Sequence, residues 1–127
     1  MLQRGKQLHI TVANRAGRLA EVMDKLAEAR VNLQAICAWV EGGTGHMMLV
    51  PDDPDQACQV LADVVDHCEM QEALCLKLPN EVGALGPSAR KLADAAIDVR
   101  LIYATAGNGQ VLVVAQTSDD AKAASLL

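Results

Sequence analysis

An α+β fold built from two similar small units is what this sequence predicts, and three observations lead to it. Residues 12–19 read VANRAGRL and residues 78–85 read LPNEVGAL. Both have an apolar strand end, then Asn, two variable residues, Gly, one variable residue and Leu. Asn14 and Asn80, Gly17 and Gly83, and Leu19 and Leu85 are each 66 residues apart. Around these turns, period-two apolar stretches and helical ones follow one another in the same order twice. The 127 residues would fit one ordinary domain by size. The repeat instead divides them into two units of roughly 65 residues, small enough to gain by packing on one another.

The elements follow in order. QLHITVA alternates Leu8, Ile10 and Val12 with polar or small neighbours, so it reads as a half-buried strand. After the turn NRAG, Leu19, Val22, Met23, Leu26 and Arg30 fall at helical spacing, with Glu21, Asp24, Lys25 and Glu28 on the other face. VNLQAICAWV, the turn EGGTG and HMMLV read as a hairpin. Asp53-Pro54-Asp55-Gln56 is a helix start with a capping Asp, Pro in the first turn and Gln in capping-box position. The stripe Ala57, Val60, Leu61, Val64 and Cys68 extends that helix to about residue 68. Strand character returns after Glu69, with Leu74, Leu76 and Leu78 on one face.

The second unit repeats the order. Leu85, Ala89, Leu92, Ala93 and Ala96 form a helix face; IDVRLIYA and QVLVVAQ flank Asn108-Gly109, a strong hairpin signal. Ser118 is the expected cap of a last helix. Lys25-Leu26-Ala27 aligns with Lys91-Leu92-Ala93 at the same offset, whereas Ala57 aligned with Ala121 at an offset of 64 implies a second hairpin two residues shorter. A right-handed crossover in each unit puts the helices on one face of an antiparallel sheet, the ferredoxin-like βαββαβ sandwich. Two such units need eight strands and six are legible. The expected units are 1–69 and 70–127, with the segment at about 70–79 serving both sheets and the last strand of the second unit missing. Sheet edges left open in this way predict a homodimer.

Composition excludes several classes. A net charge of −5, with 16 acidic and 11 basic side chains, offers no basic face for nucleic acid. With no Phe, and Trp39 and Tyr103 alone in their kinds, there is no row of rings for bases to stack on. No apolar run reaches the ~20 residues of a membrane helix, and the first residues do not form a signal peptide. Cys37, Cys58, Cys68 and Cys75 fall in no tight framework and read as reduced, buried thiols of a cytoplasmic protein. His67 and Cys68, adjacent on the expected helix, would point apart. No C-x-x-C or H-x-x-x-H spacing occurs, so neither metal nor cofactor is expected; His9 and His46, on strands that could be neighbours, are the one pairing open to a metal. Met23, Met47, Met48 and Met70 read as core filler.

A strand, a loop ending in Gly-x-Leu, an amphipathic helix, a strand beginning Val31-Asn32-Leu33 and a hairpin together resemble the ACT domain. The tandem layout, from about residue 7 to the end, resembles small proteins made of two ACT domains. That resemblance implies a non-catalytic regulatory protein binding a small ligand, most often an amino acid, where two such domains meet, and passing the signal to a partner enzyme. It implies a first site from Asn14, Arg15, Ala16, Gly17, Arg18 and Leu19, and a second from Asn80, Glu81, Val82, Gly83, Ala84 and Leu85. The second-strand starts Asn32 with Leu33, and Asp98 with Val99, are implied to complete them. Many ACT domains carry Asp where this chain has Asn14 and Asn80, and Pro where it has Ala16 and Val82. Asn gives a ligand ammonium group a neutral acceptor in place of a charge, which leaves other small acids open as ligands.

The residues support a site without the family name. Gly17 and Gly83 permit a tight turn and close approach to a ligand. The unpaired N–H groups at the following helix start suit a carboxylate. Asn14 and Asn80 could close the turn or bond a ligand, and both readings stay open. Arg15 and Arg18 flank only the first loop, which makes it the better anion site; Asp98 in place of Asn32 suits an ammonium group at the second. The competing function is an interaction module without ligand, docking on a partner through its sheet edges. Acyl-phosphate chemistry lacks its loop signature here.

Overall fold

The computed structural model describes residues 2–127. Ten elements run β1 (Leu2–Ala13), α1 (Arg18–Glu28), β2 (Leu33–Glu41), β3 (Thr44–Pro51), α2 (Pro54–Leu61), β4 (His67–Pro79), α3 (Gly86–Asp94), β5 (Val99–Gly107), β6 (Gln110–Thr117) and α4 (Asp120–Leu126). The chain divides into two compact units, one of residues 6–71 and the other of residues 72–127 with the N-terminal residues up to Gly5.

The unit of residues 6–71 is a βαββαβ sandwich with strand order β2-β3-β1-β4. β3 runs antiparallel to both neighbours, with Leu8 opposite Leu49, Ile10 opposite Met47 and Trp39 opposite His46. Alternation along β1 sends Leu8, Ile10 and Val12 to one side, where they meet Val22 and Leu26 of α1, Met47 and Leu49 of β3, and Ala57 and Leu61 of α2. Both helices therefore cover one face of the sheet. Burying these side chains, at about 1.5–3 kcal/mol each, is what holds so small a unit together.

The unit of residues 72–127 has the same order, β1-β4-β6-β5. Its closing strand, expected to be missing after the last helix, comes from the other end of the chain: residues 2–5 of β1 group with it. Its core of Leu74, Leu92, Ile97 and Ala123 takes Leu2 among the side chains packed around it. β1 and β4 each divide their length between the two units, and so six strands do the work of eight.

Three expectations change. First, the hairpins are equal in length: Gly42-Gly43 and Asn108-Gly109 are both two-residue turns, all at positive φ. The offset of 66 therefore continues to the end, and fully buried Ala57 corresponds to Ala123, not Ala121. Asp119, not Ser118, caps α4 by accepting from Lys122 N, as Asp53 does for α2 from Gln56 N. The Ser118 hydroxyl instead accepts from Asp98 N at 3.0 Å.

Second, α2 ends at Leu61. Val64 and Val65 N–H turn back to Leu61 O, and Asp66 N–H joins Thr11 O of β1 at 2.9 Å. His67 and Cys68 consequently start β4 and do not continue a helix. The apolar spacing suited a helix, but β-branched Val64 and Val65 and the demand for a fourth strand won. Third, Arg30 and Ala96 lie beyond their helices at φ 58° and 56°. Each begins a left-handed exit in which Val31 N–H bonds Leu26 O and Ile97 N–H bonds Leu92 O, both at 2.9 Å.

Candidate functional site

The first strand–helix loop closes over a cavity of about 270 Å³ within the unit of residues 6–71. Asn14, Arg15, Gly17, Arg18 and Leu19 form its loop side, and Val12, Ala38, Val40, Gly45 and Met47 its sheet side. Gly17 sits at φ 92°, a conformation other residues adopt only under strain. It is also the residue before α1, and no side chain caps that helix. Of the first-turn N–H groups, that of Arg18 bonds Arg15 O at 3.4 Å; those of Leu19 and Ala20 stand at the N-terminal end of the helix, where the positive end of its dipole lies. The start of α3 after the second loop is likewise without a side-chain cap, whereas α2 and α4 are capped by Asp53 and Asp119.

The two arginines differ in kind. Arg18 is largely buried; its Nη2 donates to Val64 O at 2.8 Å and its Nη1 reaches Glu21 at 3.3 Å, while its Nε is buried without a partner. It ties the start of α1 to the segment after α2. Arg15 is exposed and pairs with Glu21 at 3.2 Å. One carboxylate therefore faces two guanidinium groups, leaving the loop net positive. Glu21 was not singled out from the sequence, although its place three residues after Arg18 is a spacing at which helical side chains meet. Asn14 holds the loop through its backbone, donating to Gly43 O at 3.1 Å.

The second loop covers an equivalent cavity of about 250 Å³, lined by Leu78, Glu81, Gly83, Ala84, Leu85, Ala104 and Val111. Gly83 is at φ 79° and Asn80 N–H bonds Gly109 O at 2.9 Å, repeating the first loop's scaffold. Its chemistry is different. Glu81 stands where Arg15 does and Ala84 where Arg18 does, so among the described residues this cavity has no cation on its rim. Ala16 and Val82 are exposed at the loop tips, outside the linings.

Asn32, Leu33, Asp98 and Val99 line neither loop cavity, although Val99 shares a separate apolar cavity of about 40 Å³ with Leu85 of the second loop. Asn32 N–H bonds the Asp52 side chain at 3.1 Å, and Asp52 N–H bonds Asn32 O at 2.9 Å. Asp98 is tied to Ser118 in the same manner. Leu33 pairs with Pro51 and Val99 with Thr117.

On the sheet face opposite the helices, His9 Nε2 and His46 Nδ1 are 3.0 Å apart and Trp39 stacks on His46 with ring centres 5.0 Å apart. Burial, then the neighbouring His46, hold His9 below its ordinary value, opposed by Glu69. Among the described residues no three His, Cys, Asp or Glu side chains converge as metal ligands.

Two βαββαβ sandwiches, each with a small cavity under a Gly-bearing strand–helix loop, define a paired ferredoxin-like α+β protein. The chain belongs to the ACT domain pair family, whose model matches residues 4–127. ACT domains are regulatory, ligand-binding domains, often for amino acids. A protein of Bacteroides thetaiotaomicron is similar at 29% identity and a TM-score of 0.92, over 99% of this chain and 88% of that one. The ligand-free regulatory subunit of aspartate kinase from Thermus thermophilus aligns over 98% of this chain and 93% of its own, at 13% identity and a TM-score of 0.71. The regulatory subunit of aspartate kinase from Thermus flavus aligns over 98% and 90%, at 17% identity and 0.67. These two share the fold. No curated protein matches the sequence. No helix among the described residues is long and apolar enough to cross a membrane.

Proposed function

We propose that this chain is a non-catalytic sensor whose first loop cavity binds a small carboxylic acid, an amino acid foremost, and whose bound state is read by a partner enzyme. The observation that carries this reading is the uncapped start of α1 at Gly17, which opens on the first cavity with Arg15 and Arg18 on its rim. A carboxylate there gains backbone N–H groups, the helix dipole and a net positive loop. The apolar wall of Val12, Val40 and Met47 suits an aliphatic side chain. At about 270 Å³ the cavity is smaller than the roughly 300–1,000 Å³ usual for drug-sized ligands, in keeping with a metabolite of amino-acid size. The second cavity, with Glu81 and no cation, takes the weaker role.

The working form is a cytoplasmic homodimer. In support, β2 and β5 are edge strands, and each exposes an apolar residue at the same repeat position, Ile36 and Ile102. The same edges favour the second reading, a ligand-free module docking on a partner.

The test is a thermal-shift screen of the twenty amino acids and common small carboxylates, followed by calorimetry. A shift with one or a few compounds, lost in Gly17→Asp and kept in Gly83→Asp, is expected. No shift with any compound, together with retained partner binding in both variants, turns the assignment to the interaction module.

A further inference from the structure

We propose that Cys58 and Cys68 are a redox-modification site, a reversible dithiol–disulfide pair that staples α2 to the start of β4. Their sulfurs are 2.9 Å apart. That is closer than the ~3.5–4.0 Å at which unbonded carbons are most comfortable. Both residues belong to the unit of residues 6–71, so a bond between them needs no rearrangement between units. Both are partly buried, not sealed, which leaves a path for a small oxidant.

The repeat separates packing from chemistry at these positions. Along the offset of 66, Cys58 corresponds to Ala124; because residues 2–5 supply the second unit's closing strand, Cys68 corresponds to Leu2. Ala124 and Leu2 pack around the second core as Cys58 and Cys68 pack around the first. Plain apolar side chains thus satisfy the packing at both places. What the first unit adds is a pair of sulfurs in contact.

The oxidant is a low-molecular-weight disulfide. The Cys58 thiolate attacks one of its sulfurs, forming a mixed disulfide and releasing one small thiolate. The Cys68 thiol then gives up its proton, attacks the Cys58 sulfur and releases the second small thiolate. The two protons lost by the protein end on the two released thiols. Burial, and then the hydrogen bond with Cys58, push the Cys68 thiol up to about 12, so the second step speeds up as pH rises.

The bond would close a loop over residues 59–67. That loop contains Val64, whose carbonyl anchors Arg18 at the first cavity. The effect on ligand binding rests on the proposed function; the disulfide does not.

The test uses the full chain with Cys37→Ser and Cys75→Ser, equilibrated in glutathione buffers and then alkylated. The expected product is lighter by two hydrogens, has lost both alkylatable thiols, joins the peptides of Cys58 and Cys68, and reverts with dithiothreitol. In a Cys58→Ala version, Cys68 remains alkylatable. Two thiols alkylated at every buffer ratio, or a reaction that stops at a glutathione adduct, overturns the proposal. If the double variant does not fold, peptide mapping of the oxidised wild type gives the same answer. A linked pair with no ligand shift in either redox form keeps the disulfide and removes the sensor reading.

Discussion

Replacing Arg18 by Met separates a structural arginine from a ligand-facing one. Only 14% of the Arg18 side chain is exposed, and its 2.8 Å bond to Val64 O is between a charged donor and a backbone acceptor. Such a bond contributes about 1.5–3 kcal/mol, and its loss leaves the Val64 carbonyl without its donor. Met keeps most of the apolar stem and removes the buried, unpartnered Nε. That removal returns on the order of 1 kcal/mol. The net expectation is a loss of about 0.5–2 kcal/mol, at ~3–5 °C per kcal/mol in a chain of this length. The control is Arg15→Met: Arg15 is 58% exposed in a surface pair with Glu21, so the loss should stay within about 0–0.5 kcal/mol. Urea unfolding of both variants at low and high salt is the assay. Equal losses, or a larger loss for Arg15, would refute the assignment of Arg18 as the tie between α1 and the segment after α2.

Other substitutions test other parts of the structure. Asp119→Ala should cost about 1 kcal/mol and fray α4, and Asp53→Ala should do the same for α2; a loss confined to Asp53→Ala would mean that Asp119 is not the cap. Ala96→Gly should stabilise by about 0.5–1 kcal/mol, because an L-residue at φ 56° is strained there; a destabilised variant would argue against the left-handed exit of α3. His9 has a folded-state value below its ordinary 6.5. The unfolded chain therefore takes up that proton first, and stability falls as pH drops through about 6.5, levelling below the folded value. His9→Gln should flatten this slope. Emission from Trp39, the only Trp, should report the titration through its stack on His46.

Local signals in the sequence were enough for the repeat and the order of elements. Gly17 and Gly83 mark turns whose positive φ the backbone requires, and Leu8, Ile10 and Val12 alternate because one side of β1 is core. The cap at Asp53 was equally legible, since Asp-Pro-x-Gln carries its own chemistry within four residues. The asymmetry between the loops could also be read directly, from Arg15 and Arg18 against Glu81 and Ala84.

Contacts distant in sequence decided the rest. Helical spacing at Val64 and Cys68 was real, but the hydrogen bond from Asp66 N–H to Thr11 O commits the chain to a strand just after it. The closing strand of the second unit could not be found near the C-terminus because residues 2–5 supply it from the N-terminus. From the sequence Arg18 is one of two cations beside an anion site; only folding brings Val64 O, 46 residues away, within 2.8 Å of it. Cys58 and Cys68 share no recognisable spacing, and only the packing of α2 on β4 brings their sulfurs together. Periodicity, turn chemistry and capping act over a few residues, so the sequence by itself determined the elements and the loops. Which strand fills a sheet, and which side chains meet, depends on pairings across the chain that only the tertiary structure sets.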